Sequence, residues 1–462
     1  VDFSNLTVVQ KTQMLALLRE FRHVFSDRPG TCKTIPHDVK LCEGFPPKAL
    51  RNYRIPERLV PEVQRQLDIL LRDGKVQPST SAFAHPLVCV AKKSGAIRLC
   101  TDLRYVNSGT IPDAYPMPNP DDLITRIGRA KWVTLLDLVS GYLQIPVKPE
   151  HCHYFAFYGP NQLLEWKALP FGAKNSGQCF QRVMDNVLRD FDFAGAYVDD
   201  VAVYSDGWDI HLQHVREVLQ AFSDVGMTLR LDKAVFAKQS VSYLGHKVGA
   251  GTRSVLPERV QAIQEIPEPT TKKQVRRLLG MVNFYRIYIP AFSDLALPLT
   301  DLTKKDKPNV IKFNTVQRTA FNAIKTALCN ATVLNVPCLS KPYVLRTDAS
   351  DTAAAACLSQ VFDGVERPIA FMSHKFTPTQ TRYSVIEREA LAIILALRKW
   401  DYWVYAAEIL LRCDHSPLAY VISGASTSSK LTRWALTLSR YNIEFKHIAG
   451  VENVVPDFLT RC

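Results

Sequence analysis

No run in the 462-residue chain approaches the roughly 18 uncharged apolar residues that cross a bilayer, so no helical membrane span is expected. The 11 cysteines contain no CxxC pair, which argues against a disulfide framework or structural zinc and for reduced thiols inside a cell. An initiating Met is missing, and Val1–Arg28 reads as polar and helix-forming rather than as a secretory signal. The expectation is a piece of a longer polyprotein, neither secreted nor bound to a membrane. Internal repeats and low-complexity tracts are absent, which excludes solenoids and arrays. Neither an Asp-Thr/Ser-Gly protease motif nor a zinc-binding integrase header occurs. Acidic residues are the scarcer sign, 44 against 57 basic, giving a net charge of +13 and a pI near 9.2. Such a surplus suits a polyanionic partner, because Lys and Arg displace counterions from phosphates; a merely basic surface would give the same balance.

What is present is enough for two or more packed domains, since single cores rarely grow beyond roughly 250–300 residues. Pattern separates four regions: 1–45, a helix and loop; 46–251, mixed helices and strands; 252–308, mostly helical with a Lys-rich exit at Lys304–Lys307; and 309–462, strands and helices again. Trp132–Leu136 is a short apolar run predicted to be a buried strand with Asp137 at its tip. Residues 195–204 read as two strands pinched around Asp199–Asp200. Tyr343–Thr347 and Ile409–Cys413 are predicted strands ending at Asp348 and Asp414, and Glu387–Trp400 a helix with Glu389 in its first turn. His211 and His214 are expected on the wet face of the helix after the hairpin.

Two adjacent aspartates at an apolar hairpin tip are costly, because like charges a few ångströms apart raise each other's pKa. The arrangement makes sense if divalent cations sit between them and Asp137. Mg²⁺ prefers hard oxygen ligands and commonly takes one or two carboxylates plus substrate phosphates. On spacing alone, an ordinary solvated Asp-Asp turn remains the alternative.

The neighbouring words separate these readings. In order along the chain stand Arg-Leu-Cys-Thr-Asp-Leu-Arg-Tyr-Val-Asn from Arg98, Leu-Asp-Leu-Val-Ser-Gly-Tyr-Leu-Gln-Ile from Leu136 and Leu-Pro-Phe-Gly-Ala-Lys-Asn-Ser from Leu169. The Tyr-Val-Asp-Asp hairpin and Tyr-Leu-Gly-His from Tyr243 follow. Together they resemble the reverse transcriptases of gypsy-type long-terminal-repeat retrotransposons and, more distantly, of retroviruses. The resemblance implies an α+β right-hand polymerase of fingers, palm and thumb, followed by an α/β ribonuclease H-like domain. It implies that Asp137 and Asp199 are metal ligands and Asp200 a supporting carboxylate. Arg98, with Lys92 or Lys93, would hold the incoming deoxynucleoside triphosphate, and Phe171 and Gly172 would line its pocket. Tyr142 would be the aromatic gate that collides with a ribose 2′-hydroxyl. Tyr243, Leu244, Gly245 and His246 would grip the primer end. Helices at Lys272–Phe284 and Pro290–Leu302 would form the thumb, with Lys272, Lys273, Arg276 and Arg277 as a basic stripe along a phosphate backbone.

Asp348, Glu389, Asp414 and Asp457 individually look like ordinary surface acids. In their contexts (Arg-Thr-Asp-Ala-Ser, Glu-Arg-Glu-Ala-Leu-Ala, Arg-Cys-Asp-His, Val-Pro-Asp-Phe-Leu) they resemble the four-acid site of the ribonuclease H fold. Glu387 is the rival to Glu389, which is preferred because it precedes the Ala-Leu-Ala run. The resemblance implies two Mg²⁺ ions per active site, with Mn²⁺ as a substitute. It also implies an RNA template, a DNA primer and an RNA–DNA hybrid as partners, a homodimer as one assembly state, and work in the cytoplasm within virus-like particles. Gypsy-type relatives usually carry glycines where this chain has Ala353–Ala356; if those positions needed φ > 0, each alanine would cost on the order of 1 kcal/mol. A domesticated copy that only binds nucleic acid is the alternative of another class, and seven intact acids speak against it.

Overall fold

The computed structural model describes residues 2–91, 97–289, 291–331, 333–413 and 429–447. Lys92, Lys93, Asp414 and Asp457, all named above, lie outside them. The chain divides into two compact units, residues 1–244 and 245–462.

The first unit opens with α1 (Val8–Glu20), started by a capping box in which Thr7 and Gln10 satisfy each other's backbone N–H groups. Along the chain, helix α2 (Val60–Arg72) comes before and helix α3 (Pro120–Arg129) after a two-stranded ribbon, β1 (Leu87–Ala91) and β2 (Ile97–Thr101). The centre is a four-stranded antiparallel sheet of β3 (Trp132–Leu138), β4 (Ala194–Tyr197), β5 (Asp200–Ser205) and β6 (Leu229–Lys238), in the order β4-β5-β3-β6. Val133, Leu136, Val201 and Val203 are buried in it, each worth roughly 1.5–3 kcal/mol on removal from water. Helices pack on this sheet: α3 with Leu123 against Gly195, α4 (Ser176–Val187) through Phe180, Val183 and Met184, and α5 (Trp208–Val225) through Val215, Val218, Leu219 and Phe222. These spacings of three and four residues are the apolar stripe of a helix that covers a core.

The expectation for His211 is corrected: it is fully buried. Ala237 N–H donates to Thr134 Oγ1, which in turn bonds His211 Nε2 at 2.8 Å, and His211 Nδ1 lies 3.0 Å from Ser205 Oγ. The isolated polar residue on an apolar helix face serves the sheet, not the solvent. Only His214 is half open, stacked on Phe193 at 3.5 Å. Burial, and then the His214 charge, pull His211 down to a pKa of about 3, so the native state keeps it neutral. An unfolded chain would take up its proton near pH 6.5 and the folded one would not. Stability contributed by His211 is therefore whole above pH 6.5 and lost progressively as the pH falls towards 3. The urea midpoint of the first unit is expected to drop over that window, and His211→Asn to flatten the drop; equal slopes in both proteins would contradict this.

The second unit begins with β7 (His246–Gly249) and β8 (Thr252–Val255), which pair antiparallel, and β9 (Leu334–Asn335) beside β8. Helices α6 (Pro257–Gln264), α7 (Lys272–Phe284), α8 (Phe292–Asp301) and α9 (Thr315–Cys329) follow, joined by a core that includes Val275, Leu278, Val282, Leu299 and Ile324. The basic stripe is corrected at its first member. Lys272 is buried, and its ammonium bonds the carbonyls of Lys304 and Lys307 at 2.8 and 2.5 Å, so it ties off the chain beyond α8. Lys273, Arg276 and Arg277 remain exposed.

A five-stranded sheet completes this unit: β10 (Tyr343–Ala349), β11 (Ala353–Phe362), β12 (Val365–Lys375), β13 (Glu408–Cys413) and β14 (Asn442–His447), ordered β12-β11-β10-β13-β14. The first three strands are antiparallel, whereas β13 runs parallel to both β10 and β14. Helix α10 (Val385–Lys399) buries Ala390, Ile393, Ile394 and Leu397 against Tyr343, Leu345 and Leu411, with α11 (Ser429–Leu438) beside it. Ala353–Ala356 lie in β11, buried and absent from the positive-φ residues, so they carry no strain and their methyls fill the core. The order α+β, then α/β, is the fold class expected from the sequence.

Candidate active sites

Register builds the first acidic centre. Asp137 on β3 stands opposite Asp200 on β5, and Tyr197 pairs with Asp200, leaving Val198–Asp199 as a two-residue turn. Val198 has φ 56°, which costs a β-branched residue about 1–2 kcal/mol. Its N–H donates to Gln181 Oε1 of α4 at 2.8 Å, and sequence reasoning offered no signal for that glutamine. The Asp200 carboxyl is pushed above the usual range, by partial burial first and then by the charges of Asp199 and Asp137. Lys233 of β6, also missed in the sequence, partly offsets them from 3.2 Å away from Asp137 Oδ2. That oxygen is shut off from solvent and accepts no hydrogen bond from the described residues, the lysine lying near it as an ion pair. A cavity of about 340 Å³ opens here, lined by Asp137, Asp200, Lys233 and Tyr243.

Beside the acids lies an aromatic cluster. Tyr142 packs edge-on to Phe171, with ring centres 5.9 Å apart, and tilted against Phe180 at 5.1 Å. Gly141 is required there, since a Cβ would come within 2.9 Å of the Phe180 ring. Burial and then the Asp199 charge raise the Tyr142 pKa, so the phenol stays protonated and within electrostatic reach of the acids. The Arg98 guanidinium sits 5.5 Å from the centre of the Phe171 ring. Gly172, at φ 87°, is held by Asn107, whose Nδ2 donates to its carbonyl at 2.8 Å while its Oδ1 accepts from Lys174 N–H. Asn107 was likewise missed.

The Tyr243–His246 segment spans the division between the units. Tyr243 is buried, and its hydroxyl donates to the Asp200 carbonyl at 3.1 Å, bracing the strand that carries the acid. Leu244 and Gly245 turn the chain at φ 45° and 83°. His246 is buried, stacked on Phe284 at 5.0 Å, with Nδ1 2.9 Å from the Tyr288 hydroxyl.

In the second centre, Asp348 and Glu389 are both buried. Glu389 Oε1 accepts from Ala349 N–H at 3.1 Å, which fixes α10 against the end of β10. Glu389 stands just past the first turn of α10, not in it, because the helix starts at Val385. Glu387 fills the N3 place of a capping box: its Oε2 accepts from Ser384 N–H at 2.9 Å, and its Oε1 meets Lys430 at 3.1 Å. The rival glutamate thus has a structural task.

Among the described residues, no three His, Cys, Asp or Glu side chains stand close enough to enclose a metal ion by themselves. Mg²⁺ asks for less, one or two carboxylates with substrate phosphates completing its shell. The unbonded, solvent-shielded Asp137 Oδ2 and the mutually repelling Asp199 and Asp200 fit a hard cation shared with phosphate oxygens.

Residues 90–248 match the family of reverse transcriptases (RNA-dependent DNA polymerases), and residues 338–441 the RNase H-like domain found in reverse transcriptase. The retrovirus-related Pol polyprotein from transposon opus of Drosophila melanogaster is 36% identical over 96% of the chain and 46% of its own length. That from transposon gypsy of the same species is 37% identical over 86% and 40%. The chain thus spans less than half the length of these relatives. Two foamy viral protease-reverse transcriptase structures share the fold at 24% identity. One, in complex with dsDNA, has a TM-score of 0.87 over 96% of this chain and 95% of that one; the other, in complex with RNA/DNA hybrid, has 0.80 over 99% and 62%. The chain belongs to the reverse transcriptase and RNase H-like region of gypsy-type Pol polyproteins.

Proposed function

We propose that the chain copies retroelement RNA into DNA at the Asp137–Asp199–Asp200 centre and hydrolyses the RNA strand of RNA–DNA hybrids at the Asp348–Glu389 centre, with Asp414 and Asp457, outside the described residues, as the further acids the family resemblance implies. The observation that carries this reading is the register of Asp137 against Asp200, beside the turn bearing Asp199 and next to the Arg98–Phe171–Tyr142 cluster. Asp137 and Asp199 hold the cations, with Asp200 in support. A pair of Mg²⁺ ions, or Mn²⁺ in their stead, would acidify the primer 3′-hydroxyl at one centre and a water at the other, and neutralise the leaving oxygens. Arg98 offers a planar fork to phosphate oxygens, and Phe171 holds it in place. Catalysis by the protein is then positioning and charge compensation.

Nucleic acid as partner suits the exposed face of α7, which carries Lys273, Arg277, Gly280 and Phe284. A mid-helix glycine costs about 1 kcal/mol, and a Cβ at Gly280 would meet nothing within 4 Å inside the protein. Close approach of a sugar–phosphate strand gives that glycine a purpose. The foamy viral relatives were captured with dsDNA and with RNA/DNA hybrid, partners of the same class.

The direct test is deoxythymidine incorporation on primed polyriboadenylate, with Mg²⁺ and after chelation. Synthesis that needs the metal is expected; none under any divalent ion would sink the reading. Tyr142→Val should open the sugar gate and raise ribonucleotide use relative to deoxynucleotide use by at least about tenfold, or about 1.4 kcal/mol of discrimination. An unchanged ratio of kcat/KM values would remove Tyr142 from that role.

A further inference from the structure

The turn that carries Asp199 would not choose its own shape. Val198 is β-branched yet sits at φ 56°, where glycine is at ease and valine is not. Gln181 is fully buried on α4, facing this turn. The orientation of its amide follows from its partners. The Val198 N–H can only donate, so it meets Oε1 at 2.8 Å; the Ala196 carbonyl can only accept, so it meets Nε2 at 3.0 Å. The other Nε2 hydrogen goes to Asp185 Oδ1 at 2.8 Å, and Asp185 Oδ2 accepts from the Tyr115 hydroxyl at 2.5 Å. One side chain thus grips the hairpin at the strained residue and two positions before it, and is itself anchored from outside. Its neighbour Phe180 supports Gly141 and Tyr142, so one helical turn underlies both the acid turn and the aromatic gate.

We propose that Gln181 is a positioning residue that forces Val198 into its left-handed conformation and so aims Asp199 at Asp137. It sets the turnover of the polymerase centre, not its affinity for nucleic acid. This rests on the polymerase reading of that centre. Without the amide, the Val198 N–H loses its partner, relaxation to φ < 0 is downhill, and the turn carries Asp199 away.

The test is a pair of substitutions in the full chain. Gln181→Met, close in volume but unable to bond, should lower kcat for incorporation at least about tenfold, with nucleotide KM and primer–template Kd nearly unchanged. Adding Val198→Gly should recover most of that loss, because a two-residue hairpin turn with glycine first adopts φ > 0 unaided. A residue that merely fills the core would not be rescued by a glycine in the turn. Parental kcat in Q181M, or a loss that V198G leaves untouched, overturns the proposal. Should Q181M not fold, Asp185→Ala on the exposed side of the relay takes its place under the same two criteria. Asp199→Asn separates the failures: if it too synthesises DNA normally, the reading of the centre is wrong, whereas a dead D199N beside a normal Q181M refutes the role of Gln181 alone.

Discussion

Asp199→Asn is expected to abolish DNA synthesis on a primed RNA template and to leave cleavage of RNA–DNA hybrids intact. Asparagine keeps the shape of the side chain and removes its charge. No hydrogen bond among the described residues depends on the Asp199 carboxylate, so the hairpin should persist. What disappears is one ligand to a doubly charged ion, a contribution of several kilocalories per mole. At about 1.4 kcal/mol per factor of ten, a loss of about a thousandfold or more follows. Removing that charge also relieves Asp200, whose carboxyl Asp199 helps push upward. The thermal midpoint should therefore hold or rise while activity falls, the opposite of a folding defect. Synthesis within tenfold of the parent would contradict the assignment.

Glu389→Gln should do the reverse, stopping hybrid cleavage and sparing synthesis. A glutamine oxygen can still accept the Ala349 N–H that Glu389 Oε1 now accepts at 3.1 Å, so α10 keeps its seat on β10. The buried carboxyl beside Asp348 becomes an amide, which is a poor ligand for a cation; a loss of about a hundredfold or more in cleavage is expected. Glu387→Gln is the comparison that makes the test sharp. It keeps the helix cap, since glutamine fills N3 in α1 as well, and weakens only a half-exposed ion pair with Lys430, at a cost of no more than about 1 kcal/mol in stability and none in cleavage. Cleavage lost in E387Q and kept in E389Q would reverse the two roles.

The parts of this molecule legible in the sequence are those with a period or a fixed spacing. The short apolar run Trp132–Leu136 reads as a buried strand, which extends to Leu138, and residues 195–204 read as a hairpin around Asp199–Asp200; the register then brings Asp137 opposite Asp200. The choice between the two glutamates had a signal that was available, the Ser-x-x-Glu box from Ser384 to Glu387. It fixes the helix start, gives Glu387 its task and puts Glu389 beyond the first turn. Partners distant in sequence left no such mark. His211 was expected in water because a polar residue on a helix reads as solvated, yet Thr134, 77 positions away, and Ser205 satisfy both ring nitrogens. Lys272 looked like one more member of a basic stripe, although its charge is spent on two backbone carbonyls. Gln181, Lys233 and Asn107 act through contacts that only the packed sheet and its helices create.

On this reading, separate groups of acids hold divalent cations, one group in each unit. Anomalous diffraction from crystals grown with Mn²⁺, a primed template and a non-hydrolysable deoxynucleotide tests it most directly. Peaks bridging Asp137 and Asp199, and others against Asp348 and Glu389, are the predicted result. Density at neither pair, in crystals where the nucleotide is bound, would contradict it.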